Sequence, residues 1–165
     1  MTVLRRFQPA LLPLAALAAA VTLAACSMGG FGGGGGTSIP LAAGLSARMD
    51  QPGASLDRAQ AVAMINAYRA TNGLPALTPD AGLDGTAQAL ADQYARTGTP
   101  PATPQGLAGM KLSAGYATFA ETFSGWRNNP ADAAGMTTNA SRAGIAVSFN
   151  GSSTYGTHWV LVLGQ

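Results

Sequence analysis

Three residue types that carry much of protein chemistry occur once each in this chain: His158, Glu121 and Cys26. An imidazole within reach of a hydroxyl is the arrangement of nucleophilic hydrolysis, in which the ring takes the proton of the attacking oxygen. His158 with Asp132 and Ser113, Ser124 or Ser148 is the set available for it, and it defines a hydrolase alternative. No Gly-x-Ser-x-Gly turn accompanies these serines. A transition-metal centre needs several nitrogen, sulfur or carboxylate ligands converging on one point. One histidine and one glutamate supply few, so neither a metal nor another cofactor is expected. Glu121 has a simpler use, because Thr118-Phe119-Ala120-Glu121 is a capping box in which hydroxyl and carboxylate each satisfy an orphan amide. Asp132 likewise falls in the first turn of a short helix capped by Asn129 with Pro130 at its first position, where a carboxylate suits the dipole. Lys111, the sole lysine, reads as a solvated loop residue. The run Gly32 to Gly36 has no Gly-Lys-Ser/Thr after it and no strand before it, which argues against a phosphate cradle.

The elements that must position these residues are punctuated clearly between Ser55 and Thr97. Ser55 is the expected cap of a helix whose apolar stripe is Ala61, Met64, Ile65 and Tyr68, with Asn72-Gly73 as its stop. Thr78, followed by Pro79 and Asp80, is the expected cap of a second helix with Leu83, Ala87, Leu90, Ala91 and Tyr94 facing inward. From Gly98 to Gly115 the chain reads as irregular, broken by Pro100, Pro101 and Pro104. A third helix then presents Phe119, Phe123 and Trp126 on one face and ends at Asn128-Asn129-Pro130. The last third reads as strands. Ile145, Val147 and Phe149 alternate, Asn150-Gly151 opens a loop to Gly156, and Trp159–Leu163 is a nearly continuous apolar run, as expected of a strand buried on both faces or closing the sheet.

A chain of 165 residues with 47% hydrophobic and 10% charged positions has room for one domain. Arg5-Arg6 followed by the apolar run Ala10–Ala25 reads as a signal peptide over residues 1–25, since a bilayer-spanning helix needs about 20 apolar residues. Leu23-Ala24-Ala25-Cys26 resembles the bacterial lipobox, which implies that Cys26 is acylated after cleavage and joins the protein to a membrane. Ser27, in place of an aspartate, points to the outer membrane, facing the periplasm of a bacterial cell envelope. The Gly-, Ser- and Pro-rich residues 26–54 read as a flexible tether and residues 55–165 as the domain. With Cys26 acylated no thiol is left for a disulfide, so the fold must rest on its core. The formal charge of +2 belongs to the leader: without Arg5 and Arg6, seven basic and seven acidic side chains remain. No nucleic-acid partner is expected.

Ile65-Asn66-Ala67-Tyr68-Arg69-Ala70-Thr71-Asn72-Gly73-Leu74-Pro75-Ala76-Leu77 resembles the opening phrase "xxNxYRxxNGLPxL" of the CAP superfamily, the SCP-like domain, in its bacterial form. Ala114-Gly115-Tyr116, Gly125-Trp126 with Pro130, and the strand from Ala143 extend the resemblance over about Ser55 to Gly164. It implies an α+β fold, a three-layer α-β-α sandwich around a short antiparallel sheet. It also implies where that family's metal-site residues would fall. The histidine of the second helix corresponds to Leu90, the glutamate of the "AENVSAGY" phrase to Met110, and the histidine two residues after the proline to Asp132. The resemblance thus implies a cleft without its metal ligands, and a binding or structural module in which Leu90 and Met110 leave room for a lipid or other apolar ligand.

Overall fold

A computed structural model describes residues 42–165, apart from residue 52. The expected leader, Cys26 and the glycine run lie outside the described residues. The later part of the expected tether is packed on the domain. A single helical turn, α1 (Ala43–Ser46), brings Leu45 and Met49 into the core, and Met49 N donates to Ala117 O at 2.7 Å. Two apolar residues four apart are too short a stripe to stand out among Gly, Ser and Ala.

The two punctuated helices form, each with its cap two residues later than expected. Helix α2 (Arg58–Thr71) starts at Asp57, whose carboxylate accepts from Gln60 N at 2.9 Å, and not at Ser55. Helix α3 (Ala81–Thr97) starts at Asp80, which accepts from Leu83 N at 2.9 Å, and not at Thr78. A carboxylate supplies both the acceptor and the negative charge that a helix start favours, so it wins over the nearby hydroxyl. Gly73, at φ +70, ends α2 with its own N–H and that of Leu74 returned to Ala70 O and Arg69 O. Thr78-Pro79 forms a two-residue strand, β1, where the missing proline N–H is tolerated at a sheet edge.

Strand β2 (Gly109–Ala114) occupies the end of the stretch read as irregular. Met110 and Leu112 alternate with Lys111 and Ser113, a period-2 pattern that three prolines just upstream obscure. Strands β3 (Arg142–Phe149) and β4 (Thr157–Gly164) form the expected hairpin, closed by Asn150 N to Gly156 O at 2.8 Å. The sheet order is β1-β3-β4-β2, with β3, β4 and β2 antiparallel and β1 parallel to residues 142–143 of β3. Every residue of the inner strand β4 is buried. Helices α4 (Phe119–Asn128) and α5 (Pro130–Met136) carry the caps read from sequence. The box between Thr118 and Glu121 is complete, and Asn129 Oδ1 accepts from Ala131 N and Asp132 N.

This is the α-β-α sandwich implied by the resemblance, with one short parallel edge added. Alternation along the strands divides the core. Ala143, Ile145, Trp159, Leu161 and Leu163 face α1, α2, α4 and α5, whereas Ala146, Val160 and Val162 face α3. Gly144 is where α3 meets the sheet: a Cβ there would lie 2.1 Å from the Leu83 carbonyl carbon, so only glycine fits. Past β1, polar side chains take up the outer groups of β3. Ile145 N donates to Asp84 Oδ1 at 2.9 Å, Ile145 O accepts from Arg58 Nε at 3.0 Å, and Val147 O accepts from Gln88 Nε2 at 3.3 Å. On β2, Leu112 O accepts from Trp126 Nε1 at 3.0 Å.

Arg69 is the one fully buried charge among the described residues. Its guanidinium donates to Pro75 O, Met136 O and Thr138 O at 2.9–3.0 Å and to Ala140 O at 3.4 Å, tying the end of α2 to the end of α5 and the chain entering β3. No carboxylate among the described residues pairs with it, and burial lowers its pKa. Carbonyl oxygens that helix ends and turns leave without donors take up its N–H groups.

Candidate functional site

The three positions that resemblance assigns to family metal ligands separate into two places. Leu90 of α3 is buried in the cluster beneath that helix, with Ala87, Ala91, Ala146, Val160 and Val162, and Met110 of β2 packs against the same cluster. Both side chains fill core volume. Lys111, next along β2, points to the other face and lies against α5, where Nζ meets Asp132 Oδ1 at 2.7 Å. This ion pair is mostly covered, at 16% and 29% side-chain exposure, so Lys111 is not the solvated loop residue that its sequence context suggests. Its stem crosses Gly135 so closely that a Cβ there would be 2.2 Å from Lys111 Cδ. The hydrophobic stem is packed while the ammonium is held by the carboxylate. Asp132 keeps its place in the first turn of α5 as well.

The hydrolase set of His158 with Asp132 is not assembled. His158 is fully buried at the start of β4, on the α3 face, and its ring meets Tyr94 edge-on at 4.7 Å between centroids. Asp132 is engaged with Lys111 across the sheet. Of the serines considered, Ser113 stands opposite Trp159 and faces away from α3, Ser124 lies on α4, and Ser148 is the direct cross-strand partner of His158. The hydroxyl that contacts the ring is a fourth, Ser153 in the β3–β4 loop, with Oγ 3.4 Å from Nε2. Ser153 Oγ also accepts from Gly156 N at 3.0 Å. His158 Nδ1 is buried without a hydrogen-bond partner among the described residues. Burial pushes the His158 pKa down, with a weaker opposing push from the Gly156 backbone, and burial raises that of Tyr94.

His158 forms part of the wall of a cavity of about 330 Å³ between the end of α3 and the β3–β4 loop. Arg96, Thr97, Asn150 and the four loop residues from Ser152 to Tyr155 line the rest of its polar surface. Asn150 Nδ2 donates to Ala95 O at 2.8 Å and fixes the loop to the helix end. A second recess, about 240 Å³ and apolar, runs between α2 and α4, bounded by Met64, Ala67, Tyr68 and Phe123 with Arg127 over the Phe123 ring. Among the described residues, no group of three or more His, Cys, Asp and Glu side chains is placed to hold a metal ion. No helix among them is long and apolar enough to cross a membrane.

A single long helix on one face of a four-stranded sheet, seated on a glycine of β3, with the remaining helices on the other face, defines an α-β-α sandwich domain. The family model that matches it is CAP, the cysteine-rich secretory protein family, over residues 62–163, and the chain belongs to that family. No curated protein matches the chain significantly. Among solved structures, an outer surface protein of Borrelia burgdorferi is similar in fold. It has a TM-score of 0.53 and 17% identity, over 63% of this chain and 88% of that one. MpPR-1i is similar too, with a TM-score of 0.52 and 20% identity, over 64% of this chain and 87% of that one.

Proposed function

We propose that this CAP-family chain is a lipid-anchored protein of a bacterial cell envelope, held by acylated Cys26 at the outer membrane and facing the periplasm, that works by binding and not by catalysis. The observation that carries the loss of the metal site is the Lys111–Asp132 pair. A fixed ammonium stands against one of the three positions at which the family presents metal ligands, and the other two are core side chains. A divalent cation would have to displace Lys111 and would still find one carboxylate. Supporting the location are the lipobox-like Leu23-Ala24-Ala25-Cys26 and a fold like that of a protein described as an outer surface protein. Leu90 and Met110 pack on one apolar cluster, which argues against an apolar ligand between them. The recess between α2 and α4 is an apolar surface open to such a ligand. The test is elemental analysis of the purified mature protein after exposure to zinc: no stoichiometric metal is expected, and one zinc per chain would overturn the reading. Intact mass of detergent-extracted protein should show a chain beginning at Cys26 with its acyl groups, and an unmodified Cys26 would remove the anchor.

A second reading, an envelope hydrolase on His158, has one observation in its favour, the Ser153 hydroxyl beside Nε2. It would appear as turnover of small esters that vanishes in Ser153→Ala, and absent or unchanged turnover would dismiss it.

A further inference from the structure

We infer that the cavity between the end of α3 and the β3–β4 loop is a binding site for a small oxyanion, a carboxylate or a phosphate group, held by Arg96 and the loop hydroxyls. This goes beyond the reading above, since it concerns neither the family's metal positions nor an apolar ligand. The charge composition of the lining is one-sided. Arg96 is its single permanently charged side chain and no carboxylate contributes to the lining. Arg96 makes no ion pair among the described residues. Around the cation stand hydroxyl donors, Ser152, Thr154 and the phenol of Tyr155, which is 56% exposed. Behind these hydroxyls lies the His158 ring, fully buried, with Nε2 against the Ser153 hydroxyl, so it reports on the cavity without being in direct contact with a ligand. A volume of about 330 Å³ is at the lower end of small-molecule sites.

One effect opposes an anion here. The cavity adjoins the C-terminal end of α3, where the helix dipole is negative. That end effect amounts to about 0.3–1 kcal/mol, while hydrogen bonds from a charged donor contribute about 1.5–3 kcal/mol each. The carbonyl end is also partly occupied, because Ala95 O accepts from Asn150 Nδ2 and Tyr94 O from Gly98 N. A guanidinium able to grip two oxygens at once therefore outweighs the dipole.

The test uses the mature protein at pH 7 and constant ionic strength, titrated separately with inorganic phosphate, acetate, chloride and methyl glucoside. The ring signals of His158, unique because the chain has one histidine, and the amides of residues 150–158 are followed by NMR. Saturable shifts with phosphate or with acetate, weakened at least about tenfold in Arg96→Gln, are expected from the loss of a charged hydrogen-bond donor. Which of the two saturates at lower concentration identifies a phosphoryl or a carboxylate ligand. Shifts equal to those with chloride, saturation by the neutral glucoside alone, or an unchanged curve in Arg96→Gln would each overturn the proposal. Arg96 is exposed, so its replacement leaves the core intact.

Discussion

Replacing Arg69 with methionine keeps most of the side chain's length and removes its donors. In the native domain the guanidinium makes charge-assisted hydrogen bonds to four carbonyls, but it has also been taken out of water at a cost of several kcal/mol, so its net contribution cannot be read by adding up bonds. The loss on substitution comes from the acceptors. Two of the four contacts, those to Met136 O and Ala140 O, are buried, and the other two are part-buried and open to water. A buried group stripped of its partner costs about 1–3 kcal/mol, so two give roughly 4 kcal/mol. Against a typical domain stability of about 5–15 kcal/mol this is a large fraction. At about 3–5 °C per kcal/mol for a domain of this size, the midpoint should fall by roughly 12–20 °C. Urea unfolding followed by fluorescence of the buried Trp126 and Trp159 gives the free energy, and circular dichroism gives the midpoint. Arg69→Lys should recover only part of the loss, because a single ammonium cannot span the contacts of a fork. A loss for Arg69→Met below about 0.5 kcal/mol, the range of surface changes, would refute the assignment of Arg69 as the tie between these segments.

Gly144→Ala drives a methyl into the backbone of Leu83 and Asp84, which cannot swing aside, so it should destabilise by about 3 kcal/mol or more or give no folded protein on expression. Lys111→Ala should cost about 1–3 kcal/mol by urea unfolding, because it removes a packed stem as well as the ion pair, and should leave the protein without stoichiometric zinc. The His158 pKa lies below that of a free imidazole because burial disfavours the charged form. The unfolded chain therefore binds the proton first as pH falls below about 6.5. Stability should thus be full at pH 7.5 and decline on acidification through that window. Denaturation at pH 7.5 and pH 5.5 checks the sign, and the decline should shrink in His158→Gln.

The helices were legible where apolar spacing and punctuation agreed, as with Phe119, Phe123 and Trp126 behind the Thr118–Glu121 box. Where two cap-forming residues stood two apart, spacing alone favoured the hydroxyl of Ser55 or Thr78, and the added charge of Asp57 or Asp80 decided otherwise. Strand β2 carried its alternation in Met110-Lys111-Leu112-Ser113, but a four-residue signal beside three prolines was outweighed by them. The site residues were less legible because their partners are remote in sequence. Asp132 follows Lys111 by a whole helix, and nothing local announces that they meet. The burial of Arg69 depends on carbonyls that become available only once α5 has ended against α2. Ser153 sits in an irregular loop without period, and only the closing of the β3–β4 hairpin brings its hydroxyl to His158.

The side chains that occupy the outer groups of β3 and β2 also govern how copies of this chain meet. A bare strand margin is a template on which a second chain can lay down a further strand, the first step of domain swapping and of fibre growth. Confinement to a membrane surface would make such encounters frequent. Here Asp84, Arg58 and Gln88 hold one margin and Trp126 holds an acceptor on the other, so an approaching segment would have to break existing bonds before making its own. Solubility at high local concentration is in this way written into four side chains, two of them charged at neutral pH, and Asp84→Ala would expose Ile145 N–H as the first rung for an incoming strand.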